Sequence, residues 1–318
     1  MCHGFSWTGP EGPAIVNAGA VVIASGGYSG LLPNSPTSNA GVVLGLYAAS
    51  GGELTNLEYS QRHALGDLTA GRVLYPPDLA GAQFYREEQR AVWLEDACAT
   101  LPEDRRDLEI FQRYWRSNSH VPHTLRRGDE NYALGPIYGL SMGGIAHTDG
   151  AGSITGVYAT GEARHDIVAD AIIGRPWATF IAASGMLADT LAALPPRALP
   201  STDVAVPCTD IDAGFVADIK RRLASFEDHA FTEAAAADFA EWCRRGRADR
   251  AADDAGHRAL LILAEAYARS AILRRESRGY FFRPDCPAAN PGLSHRRTVA
   301  RYLERDDIVE TELVGNPA

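Results

Sequence analysis

Apolar residues recur at helical spacing over four long stretches. The first, 177–193, carries Trp177, Phe180, Ile181, Ala183, Met186, Leu187 and Leu191, and Leu194-Pro195-Pro196 stops it. After a linker from Pro195 to Pro207, three more helical patterns follow at 211–226, 231–249 and 252–275. The last has Leu260, Leu263, Ala264, Tyr267, Ala271 and Ile272 in one stripe. A shorter helix is predicted over 39–52, with Val42, Val43, Leu46, Tyr47 and Ala49 apolar and Gly51-Gly52 as its stop. Residues 14–24 end in the continuous run Val21-Val22-Ile23, which predicts a strand covered on both faces. Leu140 to His165 reads as two short strands around an Asp149-Gly150-Ala151-Gly152 turn. Gly143-Gly144 opens that stretch and Gly161-Glu162 stands where its second strand stops. Glycine at a strand end supplies positive φ or lets a backbone come close to a ligand. Residues 64–138 are rich in Pro, Arg and aromatics and weakly periodic, and read as a separate layer. Its helical part is Glu103 to Ser117, with Leu108, Phe111 and Trp115 at helical spacing.

Composition narrows the class. The 318 residues allow two or three domains, and 46% hydrophobic with 22% charged residues is ordinary for a globular protein. A net charge of −10 argues against a nucleic-acid partner. No apolar run reaches the ~18 residues of a membrane span, and the N-terminus lacks the basic and apolar regions of a signal peptide. The five cysteines, Cys2, Cys98, Cys208, Cys243 and Cys286, show no C-x-x-C pair. They read as reduced thiols of a cytoplasmic protein, with neither a metal site nor a disulfide framework.

Ordered motifs carry more than composition. Met142-Gly143-Gly144-Ile145, a turn, and Gly156-Val157-Tyr158-Ala159-Thr160-Gly161-Glu162 follow one another. Upstream lie Ala24-Ser25-Gly26-Gly27, which in isolation reads equally as a β-turn, and the dense run Gly52-Glu53-Leu54 to Glu58-Tyr59-Ser60-Gln61-Arg62-His63. Downstream lies Glu276-Ser277-Arg278-Gly279, followed by Arg283-Pro284-Asp285-Cys286-Pro287. Together these resemble the FAD-dependent fumarate reductase/succinate dehydrogenase flavoprotein family, which includes L-aspartate oxidase and the adenylylsulfate reductase alpha subunit. The resemblance implies an α+β fold: a partial FAD-binding domain of the GR2 type (1–63 and 139–195), a reduced capping domain (64–138) and a C-terminal helical bundle (196–318).

Site residues follow from the same resemblance. Ser25, Gly26, Gly27, Gly143, Gly144, Gly161 and Glu162 correspond to residues near FAD, with Glu162 on the ribityl side. His63 matches a substrate-binding histidine; alone it would read as a packing residue. Arg106, in Arg106-Asp107, matches the capping-domain proton shuttle, although Asp104, Arg105, Arg106 and Asp107 equally suit a solvated helix start. Arg175 is the best match to a second carboxylate-binding arginine. An arginine, whose guanidinium stays protonated far above neutral pH, can shuttle a proton only with a paired relay. The corresponding Pro77-Asp78-Leu79-Ala80-Gly81 has neither the family's Glu nor its relay Arg. A second family histidine is replaced by Gly139, and the flavin-supporting Thr-Gly-Asp-Gly is Ala40-Gly41-Val42-Val43. A strand–Gly-x-Gly-x-x-Gly–helix unit, which would seat the FAD pyrophosphate, is not found.

Two functional readings result. One is an FAD-dependent oxidoreductase for a small carboxylate-bearing substrate, its ADP half of FAD held by a partner chain or a missing segment. The other is a cofactor-free derivative acting as a subunit or interaction protein. A pocket turned to non-redox acid–base chemistry is selected by nothing in the sequence. Without the nucleotide unit, the 14–24 strand and the 140–165 hairpin are expected to leave an apolar face that calls for a partner or self-association.

Overall fold

The computed structural model describes residues 2, 4–9, 11–118, 120–164, 176–195, 211–227, 230–250 and 254–315. Arg175 and most of the linker lie outside the described residues. Helices and sheets are mixed along the chain. The predicted helices appear as Val42–Ala49, Pro176–Ala192, Ala213–Leu223, Glu233–Ala248 and Ala255–Leu273. Ala255–Leu273 is buried on nearly every side, as its Leu- and Ala-rich sequence requires of a central helix. Val42–Ala49 crosses it closely. A Cβ on Gly45 would lie 2.2 Å from the Ala259 carbonyl oxygen, so only glycine permits the contact.

The first half of the chain builds a six-stranded antiparallel sheet. Its order is Arg72–Val73, Ser60–Asp67, Glu130–Ser141, His123–Arg127, Gln83–Arg86 and Gln89–Arg90. Over it lies the helical stretch Glu103–Ile110, which passes into a π-helical turn at Phe111–Trp115. That turn buries Phe111 and Trp115 together. A smaller sheet pairs His147–Thr148, Ala151–Gly152, Val157–Ala159 and Val21–Ile23, the last two running parallel.

Two expectations are corrected. The C-terminal part is not a helical bundle throughout: Arg296–Leu303 and Ile308–Gly315 form a hairpin that joins Leu54–Thr55 and Gly144–Ile145 in a four-stranded sheet. The Val21–Ile23 strand is not covered on both faces. It is the edge of its sheet, and Val22 is 42% exposed.

Buried charge ties these parts together. Arg274, at the end of the central helix, donates to Glu58 (2.9 Å), Asn56 Oδ1 (3.2 Å) and the Arg296 carbonyl (3.0 Å). Glu58 also accepts from Thr298 Oγ1 at 2.7 Å. Arg283 donates to the carbonyls of Ala271, Ile272 and Arg274. It thereby satisfies the acceptors that the last turn of a helix leaves open. Arg283 thus closes the helix, and Arg274 pins its end to the 56–58 segment that leads into the site.

Candidate functional site

Two clusters meet on the Glu130–Ser141 strand. The first gathers around Ser141. Its hydroxyl accepts from the Tyr28 N–H (3.1 Å) and donates to Glu162 Oε1 (2.9 Å), which also receives the Ser141 N–H (2.8 Å). Gly27 closes the group: a Cβ there would fall 1.6 Å from Ser141 Oγ and 2.5 Å from Glu162 Oε1. Gly26 has a positive φ of 76°, and the Asn39 amide holds the loop by donating to the Ser25 carbonyl at 2.7 Å. Gly161 also takes a positive φ, 64°, with open space where a Cβ would stand. The bare Cα atoms of Gly143 and Gly144 serve the chain's own packing. Cβ atoms there would lie 2.3 Å from the Asn56 carbonyl oxygen and 2.6 Å from that of Ala163.

Burial raises the Glu162 pKa, against the hydrogen bonds from Ser141 and Gly27, which lower it. The folded chain therefore holds the Glu162 proton more tightly than the unfolded chain does. That contribution to stability is full below the ordinary glutamate value of about 4.3 and is lost as pH rises through the raised folded value. Glu162→Gln should remove the loss. The gain of the variant over wild type in urea midpoint is expected to be larger at neutral than at acid pH; a gain independent of pH would contradict this.

The second cluster centres on His63. The Ser60–Asp67 and Glu130–Ser141 strands pair with irregular register, which leaves Gly139 as an extra residue between Tyr138 and Leu140. The His63 ring lies over it: a Cβ on Gly139 would be 2.4 Å from His63 Cδ2 and 2.5 Å from Nε2. A side chain at 139 and this His63 position exclude each other. His63 Nδ1 lies 3.2 Å from Asp107 Oδ2, and Asp107 Oδ1 accepts from the Ala64 N–H at 3.0 Å. Behind them, Arg62 is stacked between Phe111 and Tyr138 and pairs with Glu227 at 3.2 Å. Tyr280 is buried nearby, hydrogen-bonded to Gln61, and burial together with the Asp107 charge pushes its hydroxyl pKa up.

Of the Arg106-Asp107 pair, Asp107 joins His63. Arg106 donates instead to the Leu101 carbonyl at 3.2 Å. Ser141, Asp107 and Tyr280 were not singled out as site residues in the sequence. Ser141 stands beside the Met-Gly-Gly motif and Asp107 beside the matched arginine, so position alone could have raised both. Tyr280 reaches the site from a motif 217 residues after His63 (280 − 63), and nothing local signals it. Among the described residues no three His, Cys, Asp or Glu side chains could hold a metal, and no helix is long and apolar enough to cross a membrane.

Comparison with known proteins shows which folds the chain is similar to. Residues 254–313 match the family described as fumarate reductase flavoprotein C-term. That span contains the central helix, its closing motif and most of the C-terminal hairpin. No curated protein sequence matches the chain. The Sdh1 complex of Mycobacterium smegmatis in its apo form is 20% identical, with a TM-score of 0.66 over 96% of this chain and 62% of its own. A quinol-fumarate reductase with menaquinol molecules is 15% identical, with a TM-score of 0.66 over 96% of this chain and 68% of its own. Adenylylsulfate reductase from Archaeoglobus fulgidus is 14% identical, with a TM-score of 0.60 over 96% and 68%. The chain thus spans 62% of the first of these structures. Over that span it has the fold of the succinate dehydrogenase, fumarate reductase and adenylylsulfate reductase flavoproteins, and in residues 254–313 it carries the C-terminal module of the fumarate reductase flavoproteins.

Proposed function

We infer that the chain provides the flavin side and the substrate side of an FAD-dependent oxidoreductase acting on a small carboxylate-bearing molecule. The observation that carries this reading is the convergence of Gly27, Tyr28, Ser141 and Glu162 beside the open backbone of Gly161. Ser25, Gly26, Gly27, Gly161 and Glu162 would hold the isoalloxazine and ribityl parts of FAD, with Gly143 and Gly144 keeping the neighbouring backbone in place. Bound FAD would supply two-electron hydride chemistry. His63, Arg106 and Arg175 are the cations and donors for a substrate carboxylate. The ADP half of FAD would rest on residues other than those described, in a partner chain or a further segment.

The apolar face supports such a partner. A groove of about 730 Å³ runs along the Val21–Ile23 edge, lined by Phe5, Val22, Val43 and Leu46 among others. These four side chains are each 39–49% exposed. Clustered exposed apolar side chains mark an interaction site. Changing Leu46 and Val22 together to Asp is expected to abolish association, measured as the sedimenting mass of the isolated protein; an unchanged mass would place the interface elsewhere. The same groove is what favours the second reading, a cofactor-free subunit or interaction protein. Visible absorbance separates the two. The isolated complex should show flavin bands that dithionite bleaches, whereas a colourless complex would leave only the second reading.

A further inference from the structure

His63 and Asp107 come from a strand and a helix 44 residues apart, and their geometry gives the two imidazole nitrogens different tasks. Asp107 divides its carboxylate between the Ala64 N–H at 3.0 Å and His63 Nδ1 at 3.2 Å. A carboxylate accepts and does not donate, so Nδ1 carries hydrogen and the neutral ring has its lone pair on Nε2. The Nε2 edge lies over the bare Cα of Gly139, and Nε2 has no hydrogen-bond partner among the described residues. Arg106 is placed differently. Its Nη2 is turned to the Leu101 carbonyl, and it has no carboxylate partner among the described residues. Asp78, in the place of the missing relay, is committed to the Tyr75 N–H and to Arg72. An arginine without a relay keeps its proton.

We propose that His63, oriented by Asp107, moves the proton at the substrate carbon through Nε2, in the role the resemblance assigns to Arg106. This rests on the reading of the chain as a flavin-dependent oxidoreductase. In reduction of a carbon–carbon double bond, Nε2 gives a proton to one carbon; the hydride for its neighbour is the chemistry that bound reduced FAD would supply. The imidazolium becomes a neutral ring that keeps its hydrogen on Nδ1, and solvent recharges Nε2. In oxidation the neutral Nε2 takes the proton. Asp107 is a positioning residue, and Gly139 provides the space in which the ring sits.

The tautomer tests the arrangement without any cofactor. At a pH well above the imidazole range, long-range proton–nitrogen NMR should place the hydrogen on Nδ1 in wild type and on Nε2 in Asp107→Asn. An asparagine that keeps its oxygen on the Ala64 N–H turns its amide hydrogens toward Nδ1. A wild-type ring with hydrogen on Nε2, or the same tautomer in both proteins, overturns the proposal. In the flavin-loaded complex, with fumarate as the probe, His63→Gln should keep the flavin absorbance and lower kcat about 100-fold or more, beyond any change in KM. Arg106→Gln should cost far less in kcat. A His63→Gln protein that changes KM alone, or an Arg106→Gln protein that loses as much kcat, returns proton transfer to Arg106. A wild-type complex that takes up no FAD overturns the oxidoreductase reading and the proton role with it, whereas one that is loaded but turns over neither fumarate nor succinate overturns the proton role alone. The tautomer result would then stand as a structural fact alone.

Discussion

Arg274→Met is expected to destabilise the fold by about 3–5 kcal/mol, the usual cost of removing one partner from a buried ion pair. Arg274 is 1% exposed and Glu58 is fully buried. Without the guanidinium, the Glu58 carboxylate keeps Thr298 Oγ1 as its side-chain donor among the described residues, and the Arg296 carbonyl and Asn56 Oδ1 each lose a donor. The loss falls where the central helix, the 54–58 segment and the C-terminal hairpin meet, so it should lower the urea midpoint of the whole chain. A Glu58→Met, Arg274→Met double variant should recover much of the loss, because no uncompensated charge is left buried. Equal midpoints for wild type and Arg274→Met would show that the ion pair does not hold these segments together.

Gly27→Ala should abolish flavin uptake. The added Cβ cannot coexist with Ser141 Oγ at 1.6 Å, so the hydroxyl must leave, and its bonds to the Tyr28 N–H and Glu162 go with it. Each buried polar group left without a partner costs about 1–3 kcal/mol, so stability should fall too. Gly161→Ala separates the two effects. A Cβ at 161 meets nothing within 4 Å, but the residue sits at a φ of 64° that alanine tolerates poorly. It should leave the Ser141 group intact while moving the backbone beside it. A Gly27→Ala protein that binds FAD as wild type does would remove Ser141 and Glu162 from the cofactor site.

The helices were legible because their cores are local. Leu260, Leu263, Ala264 and Tyr267 share a face at helical spacing, and the helix lies where the spacing predicts. The C-terminal strands were not. Thr298, Val299 and Ala300 are buried in succession, and Val299 and Ala300 pair with Thr55 and Leu54 across most of the chain, a pairing that no local pattern encodes. Buried charge misleads in the same way. Nothing local in the sequence marks Arg274, Glu58 and Arg283 as buried; the fold brings their partners together. The resemblance pointed to His63 and Arg106; the fold pairs His63 with Asp107, one residue on, and turns Arg106 to the Leu101 carbonyl. The loss of a histidine at Gly139 was plain in the sequence; that its space belongs to the His63 ring was not. An apolar face was expected on the 14–24 strand and the 140–165 hairpin; a groove is present along Val21–Ile23, and its wall also takes in Val43 and Leu46 of the neighbouring helix, which that expectation did not include.

Gly27, Ser141, Gly161 and Glu162 are proposed to form the flavin side of an FAD site. Titration of FAD into the purified protein, with any chain that completes it, followed by visible absorbance and flavin fluorescence, tests this most directly. The expected result is saturable uptake of a single flavin per chain in wild type and its loss in Gly27→Ala. A complex that remains colourless and leaves the fluorescence of free FAD unchanged would contradict it.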